Sequence, residues 1–328
     1  MKKLLIFTLC LALVLPFAFC GCKPVPSDTI RLSEVTHSIF YAPQYLALEL
    51  GYFEDFGINI QLTNAGGADN VMTSLISGEA DIGLMGCEQA IYVHNQGMQN
   101  APVVIGQLTK RDGSFLVARN PIENFAWQNL DNCEILMGRR GGMPAMILQY
   151  ILNNSGYVNG ENITMNYDIQ FNMLAAAFTG GTADFVPLFE PTASQLVLEG
   201  KGYIVAPIGE MSGEIPYTVY YVTHDYLEQN PLKVENFLRA VKMGTDYLFA
   251  HDNEHLAELL LPYFDGTTKE LIVSALANYK ACDVWMRSPA MLQSTFERLQ
   301  DIMENAGELT TRASFFDIVD NSIANKLT

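Results

Sequence analysis

Gly78-Glu79-Ala80-Asp81-Ile82 and Gly181-Thr182-Ala183-Asp184-Phe185 are one short phrase written twice. A second pair accompanies them: Gly51-Tyr52 and Gly156-Tyr157. The Gly-Tyr pairs lie 105 residues apart and the Ala-Asp pairs 103. Two matches at nearly one offset, each in the same structural slot, imply two related α/β halves. In each slot a glycine ends a helix in a left-handed conformation, and a short apolar strand then enters a buried parallel sheet. The strand's far end delivers a loop to the sheet edge, where open α/β sheets bind ligands. Two such halves facing one another make a cleft.

Outward from the repeat, strand and helix signals alternate. Strands are expected at Ile30–Val35, Ile58–Thr63 and Asp81–Met85, and helices at Pro43–Leu50, Ala68–Ile76 and Glu88–Asn95. Alternation of this kind implies parallel βαβ units. The second half repeats the order with a helix at Ala145–Asn153, a strand near Ile163–Ile169 and a helix at Leu174–Phe178. Tyr217–Val222 reads as a return strand, after which the chain turns helical through Val234–Phe249, His255–Leu261, Lys269–Lys280 and Met291–Ala306. The helical tail is expected to pack on the first lobe. Residues 30–112 with 217–328 would then form lobe 1 and residues 113–216 lobe 2, hinged where the chain crosses at Lys110–Gly113 and Gly213–Tyr217.

The N-terminus sets the compartment. Lys2 and Lys3 precede an uncharged run from Leu4 to Phe19, as in a signal peptide over residues 1–21. Gly21-Cys22 resembles the end of a bacterial lipobox, so Cys22 is the expected lipidation site and residues 22–29 a tether. The chain is then expected outside the cytoplasm, held to the membrane by lipid. With 36 acidic against 19 basic residues it would not hold nucleic acid by neutralising phosphates. Beyond the export region Cys87, Cys133 and Cys282 remain, an odd number without CxxC spacing, so neither a disulfide framework nor a structural zinc site is indicated. His251 and His255 share a metal-like spacing, but the intervening Asp252-Asn253-Glu254 reads as a helix start. No metal and no cofactor is expected.

Tyr41-Ala42-Pro43-Gln44-Tyr45-Leu46-Ala47 with Gly51-Tyr52-Phe53, and Ser77-Gly78-Glu79-Ala80-Asp81-Ile82-Gly83, resemble the signatures of one solute-binding family of ABC importers. Its members bind sulfonates, taurine, nitrate or thiamine pyrimidine precursors (the SsuA/ThiY-like group). Gly141-Gly142-Met143-Pro144 and Phe189-Glu190-Pro191 are similar to segments of the family's second lobe. The resemblance implies an α/β fold of the type II periplasmic-binding-protein kind, two lobes with a hinge and a central cleft closing on one small solute. It also implies a separate permease and ATPase as partners and a chain acting as a monomer. Fungal relatives that make the thiamine pyrimidine use a cysteine-rich segment, which this chain lacks, so that activity does not carry over.

Six strand-end loops should meet at the cleft. From lobe 1 they carry His37, Phe40 and Tyr41, then Gly66 and Gly67, then Cys87 and Glu88. From lobe 2 they carry Gly141, Gly142 and Met143, then Asn172, then Phe189 and Glu190; Tyr217 joins them from the second crossing. Helix starts offer unpaired N–H groups, and glycine pairs let the backbone approach a ligand closely. Glu88 and Glu190 occupy equivalent loops and would accept hydrogen bonds from an amine or ring N–H. Two carboxylates in a closed cleft would repel a bare sulfonate. Of Phe40, Tyr41, Phe171, Phe189 and Tyr217, about two are expected to line the cleft, the others serving the core. Arg139-Arg140 points the other way, since a guanidinium beside a helix start could clamp an oxyanion. An aminopyrimidine-like solute is favoured over a sulfonate. With no GxSxG, HExxH or P-loop, the binder reading outweighs an enzyme whose two glutamates would work as an acid/base pair.

Overall fold

A computed structural model describes residues 28–327. Ten strands form two five-stranded sheets. The first contains β1 (Thr29–Glu34), β2 (Asn59–Asn64), β3 (Ile82–Gly86), β4 (Val103–Thr109) and β10 (Thr218–Val222), in the order β2-β1-β3-β10-β4. The second contains β5 (Ser114–Ala118), β6 (Glu134–Leu136), β7 (Thr164–Asn166), β8 (Phe185–Phe189) and β9 (Tyr203–Pro207), in the order β7-β6-β8-β5-β9. The two orders are the same once β6, β7 and β8 are matched to β1, β2 and β3. In each sheet the fourth strand, β10 or β5, has just arrived from the other lobe, and it runs antiparallel to both neighbours. The sheets are therefore mixed, where βαβ alternation alone implies parallel ones.

The repeated Ala-Asp phrase has a matching hydrogen-bond job in both lobes. The Asp81 N–H donates to the Arg31 carbonyl (2.8 Å), and the Arg31 N–H donates back to Asp81 Oδ2 (2.8 Å). In lobe 2 the Asp184 N–H donates to the Glu134 carbonyl (2.9 Å), and the Glu134 N–H to Asp184 Oδ2 (2.8 Å). Each aspartate thus pins the entry of the third strand to the first, satisfying backbone groups that would otherwise stand unpaired. Central strands β3, β8, β5 and β10 are buried on both faces or nearly so, while edge strand β2 is largely exposed.

Helices cover both sheets. The helix Ala42–Glu49 is buried over most of its length and lies against the long helix Pro231–Ala250. Their closest approach needs Gly244, where an added Cβ would fall 2.1 Å from the Pro43 carbonyl oxygen. The tail does not keep to lobe 1 as expected. The helix Lys269–Ala281 also reaches the lobe 2 helix Thr192–Leu198, and the helix Gln293–Asn305 packs on Met143–Asn154. Asn153 Nδ2 donates to Asn305 Oδ1 (3.0 Å), and Arg298 Nε to the Ser212 carbonyl (2.8 Å). The tail therefore touches both lobes. Asp252 caps the helix Asn253–Leu260 by accepting from the His255 N–H (2.9 Å). Cys87, Cys133 and Cys282 are free thiols. No helix among the described residues is long and apolar enough to cross a membrane. The signal peptide, Cys22 and nearly all of the tether lie outside the described residues.

Candidate functional site

A cavity of about 130 Å³ lies between the lobes at the strand ends. All six predicted loops contribute to its wall. Phe40, Tyr41, Gly66, Gly67 and Glu88 line it from lobe 1, Gly142, Met143 and Phe189 from lobe 2, and Tyr217 from the second crossing. Aromatic rings dominate. Phe40 meets Phe189 at 5.4 Å and Tyr217 at 5.6 Å between centroids, both edge to face, and Phe171 meets Phe189 at 5.7 Å. All five candidate aromatics line the cavity, more than the two expected. A closed apolar cleft needs large flat side chains on both jaws to exclude water. Gly66 holds φ at 73°, where a side chain would be strained, and the helix starts at Gly67 and Gly142 have no side-chain cap. Their first N–H groups therefore have no side-chain acceptor at the cap position.

Glu88 is the most unusual group in the wall. It is 1% exposed, and Oε1 accepts from Gln89 Nε2 at 3.2 Å. Oε2 is buried with no hydrogen-bond partner among the described residues. Burial pushes the carboxyl up to about 7, opposed by Gln89, by the residue's own backbone N–H and by the charge of Arg139. The carboxyl folds back over the end of β3, where a Cβ on Gly86 would fall 2.0 Å from Oε2. A buried acceptor without a donor is unfavourable by about 1–3 kcal/mol, a debt that a ligand N–H would remove. Arg139 also lines the cavity, whereas Arg140 turns outward to lie 4.0 Å from the centre of the Tyr167 ring.

Five predicted contacts do not line this cavity. Cys87 is fully buried at the helix start, where burial pushes its thiol well above the ordinary range. The Gly141 carbonyl accepts from the Tyr92 hydroxyl (3.0 Å), joining the two lobes beside the cavity instead of lining it. His37, Asn172 and Glu190 face a second chamber of about 180 Å³, which shares Thr36, Phe171 and Phe189 with the first. Glu190 is fully engaged there. Its Oε1 accepts from Ser194 Oγ (2.7 Å) and Asn278 Nδ2 (2.8 Å), and Oε2 from the Ser194 N–H (3.0 Å). Its backbone carbonyl accepts from Ser38 Oγ (2.8 Å), a further contact between lobes.

His37 has a structural task. Nδ1 meets Glu34 Oε1 at 2.8 Å and Nε2 meets the Tyr263 carbonyl at 2.6 Å. The Tyr263 carbonyl can only accept, so Nε2 donates, while Nδ1 also lies 3.0 Å from the Tyr45 hydroxyl; the hydrogen bond to Glu34 favours the protonated ring. Glu34, fully buried, also accepts from the Tyr45 hydroxyl (2.9 Å) and Gln44 Nε2 (2.9 Å). Two residues of the Tyr41–Ala47 segment thus serve to hold a buried charge beneath the ligand loop. Sequence reading missed Asp69, Asn70, Met137, Gln170 and Thr218 as wall residues. Asp69 and Asn70 follow directly on Gly66-Gly67, a spacing that could have pointed to them.

Two lobes of matched topology, joined by two crossings and enclosing a cavity built from strand-end loops of both, define the two-lobed periplasmic-binding-protein fold. The chain belongs to the family described as NMT1/THI5 like, which matches residues 39–255. It is 36% identical over 97% of its length, and 95% of the relative's, to YtlA of Bacillus subtilis (strain 168), whose assignment as a binding protein is itself an inference. It is 23% identical, over 67% of this chain and 66% of the relative, to a Candida albicans (strain WO-1) protein named 4-amino-5-hydroxymethyl-2-methylpyrimidine phosphate synthase. Among solved structures, the alkanesulfonate-binding protein SsuA from Xanthomonas axonopodis pv. citri superposes with a TM-score of 0.70 at 18% identity, covering 90% of this chain and 98% of that one. The periplasmic nitrate-binding protein NrtA from Synechocystis PCC 6803 gives 0.67 at 16%, covering 92% and 86%. These two likenesses establish the fold; what those proteins bind is their own property.

Proposed function

We propose that this chain is the extracytoplasmic solute receptor of an ABC importer, anchored through Cys22, and that its solute is a small planar heteroaromatic amine of the aminopyrimidine kind. The single observation that carries the reading is the buried, unpartnered Glu88 Oε2 in the wall of an aromatic cavity. A ring would stack among Phe40, Phe189 and Tyr217, and its amino or ring N–H would donate to Glu88. Hinge closure would trap it, and the closed form would dock on a separate permease driven by a separate ATPase. Gripping, not turnover, fits a wall whose second predicted carboxylate, Glu190, is occupied by Ser194 and Asn278.

A second reading within the family, an oxyanion such as a sulfonate, draws on Arg139 and the uncapped helix starts at Gly67 and Gly142. Glu88 disfavours it in its ionised form, because a carboxylate facing a bare anion in a closed cavity is repulsive. Mass spectrometry of solute released from the purified, denatured protein decides between them. Recovery of an unmodified aminated heterocycle supports the first reading; recovery of a sulfonate or nitrate overturns it.

A further inference from the structure

Asp112 and Tyr217 sit on the two different strands of the hinge. Asp112 belongs to the first crossing, between the end of β4 at Thr109 and the start of β5 at Ser114; Tyr217 closes the second crossing, immediately before β10. The crossings run side by side, with the Ile215 N–H donating to the Lys110 carbonyl (2.9 Å) and the Tyr217 N–H to the Thr109 carbonyl (3.1 Å). Rotation of one lobe against the other is absorbed by torsions in these segments, so the separation of their side chains depends on closure.

Both side chains carry a buried polar atom without a partner. Asp112 is 1% exposed; its Oδ1 accepts from the N–H and hydroxyl of Ser114, while Oδ2 has no hydrogen bond among the described residues. The Tyr217 hydroxyl is likewise buried and unbonded. The carboxylate and the hydroxyl nevertheless lie within each other's reach, close enough for a hydrogen-bonding interaction between them to act on both, although no well-formed bond joins them. Of the charged neighbours, Lys110 pairs with Glu214 and Asp283, and Arg111 pairs with Glu214 through Nη2 while its Nε is buried without a partner. Two buried polar atoms without partners are each unfavourable unless they meet. Tyr217 also forms part of the cavity wall and packs on Phe40, whose ring lies over Gly113 of the first crossing.

The geometry points to Asp112 and Tyr217 as the latch of the hinge: with the lobes together the Tyr217 hydroxyl donates to Asp112 Oδ2, and that bond biases the chain towards the closed form. Tyr217 ties this bond to the ligand wall, and Asp112 is a positioning residue that acts through it. The latch does not depend on which solute binds, so its failure would leave the reading of Glu88 untouched, and failure of that reading would leave the latch standing.

The test is the distribution of distances between spin labels placed at Glu79 in lobe 1 and Glu161 in lobe 2 of the full, solute-free chain, both positions being exposed. The Tyr217→Phe and Asp112→Ala variants should each reduce the short-distance, closed population at least threefold. The double variant should do no more than either single one, as for a single shared bond. Asp112→Asn, whose oxygen can keep the Ser114 bonds while its amide N–H donates to the Tyr217 oxygen, should restore the closed population, an outcome that a purely structural defect would not give. Effects that multiply in the double variant, an unchanged closed population in folded Tyr217→Phe, or no closed population in the unmodified chain would each overturn the latch. Tyr217→Phe removes one hydroxyl and is expected to fold, so the test stands even where Asp112→Ala does not.

Discussion

Glu88 and Glu190 stand at matching points of the two lobes, just past the ends of β3 and β8, yet only Glu88 lines the larger aromatic cavity between the lobes. Glu190 has been recruited to the closed interface, where Ser194, Asn278 and Ser38 consume its acceptors. The two lobes are thus alike in fold and unlike in task. With 4-amino-5-hydroxymethyl-2-methylpyrimidine as probe, Glu88→Gln should weaken binding by about 10–100-fold, the range for a lost charge-assisted hydrogen bond. Glu190→Gln should change it by less than about threefold, in line with a group already satisfied by neighbours. Calorimetric titration of the two variants reads the contrast.

Acidity should stabilise the fold relative to alkali at two buried carboxyls. Burial raises Glu88 from 4.5 and Asp112 from 3.8, each to about 7 in the folded chain. The folded state therefore holds these protons more tightly than the unfolded one. The stability they confer is fully present below the unfolded values and is lost as pH rises to about 7. Replacing Asp112 by Asn removes that loss. Thermal melts should give this variant the higher melting temperature at about pH 8, with the gap closing near pH 4.

His37 should show a dependence of the same sign. Its hydrogen bond to Glu34 raises its pKa above 6.5. The stabilisation from the pair is complete below that value and disappears as pH rises through the folded-state pKa. Against His37→Gln, the unmodified chain should gain more in melting temperature at about pH 6 than at about pH 9. A gap that does not vary with pH would mean the ring is neutral in the fold.

Packing at the seam of lobe 1 offers a test without titration. Gly244→Ala drives a methyl group against the Pro43 carbonyl, a backbone atom that cannot swing aside. A loss of about 1–3 kcal/mol or more is expected in denaturant unfolding, as for overpacked cores. An unaffected midpoint would mean that the helices Ala42–Glu49 and Pro231–Ala250 are not in register as described.

Much of this molecule could be read from residue order because its halves repeat. Asp81 and Asp184 each bind their own lobe's first strand, so the doubled Ala-Asp phrase reports a real doubled contact. Helices Ala68–Ile76 and Glu88–Asn95 have the bounds that periodicity and glycine stops indicated. The direction of β5 and β10 could not be read this way, because antiparallel insertion is decided by the crossings and leaves no period in the sequence. Nor could the fate of His37 and Glu190. Their loops reach the cleft as expected, but which chamber a side chain enters depends on partners far along the chain, Tyr263 for one and Asn278 for the other. The tail's double allegiance is of the same kind: an amphipathic face does not name the lobe it will cover.

The central claim is that both lobes close over one solute with Glu88 as the reader of its N–H. Titration of the solute recovered from the purified chain, into the unmodified protein and into Glu88→Gln, addresses it most directly. Saturable binding of one molecule per chain, recovered intact and at least tenfold weaker in the variant, is the predicted result. Equal affinity in the two proteins, or chemical conversion of the solute, would contradict it.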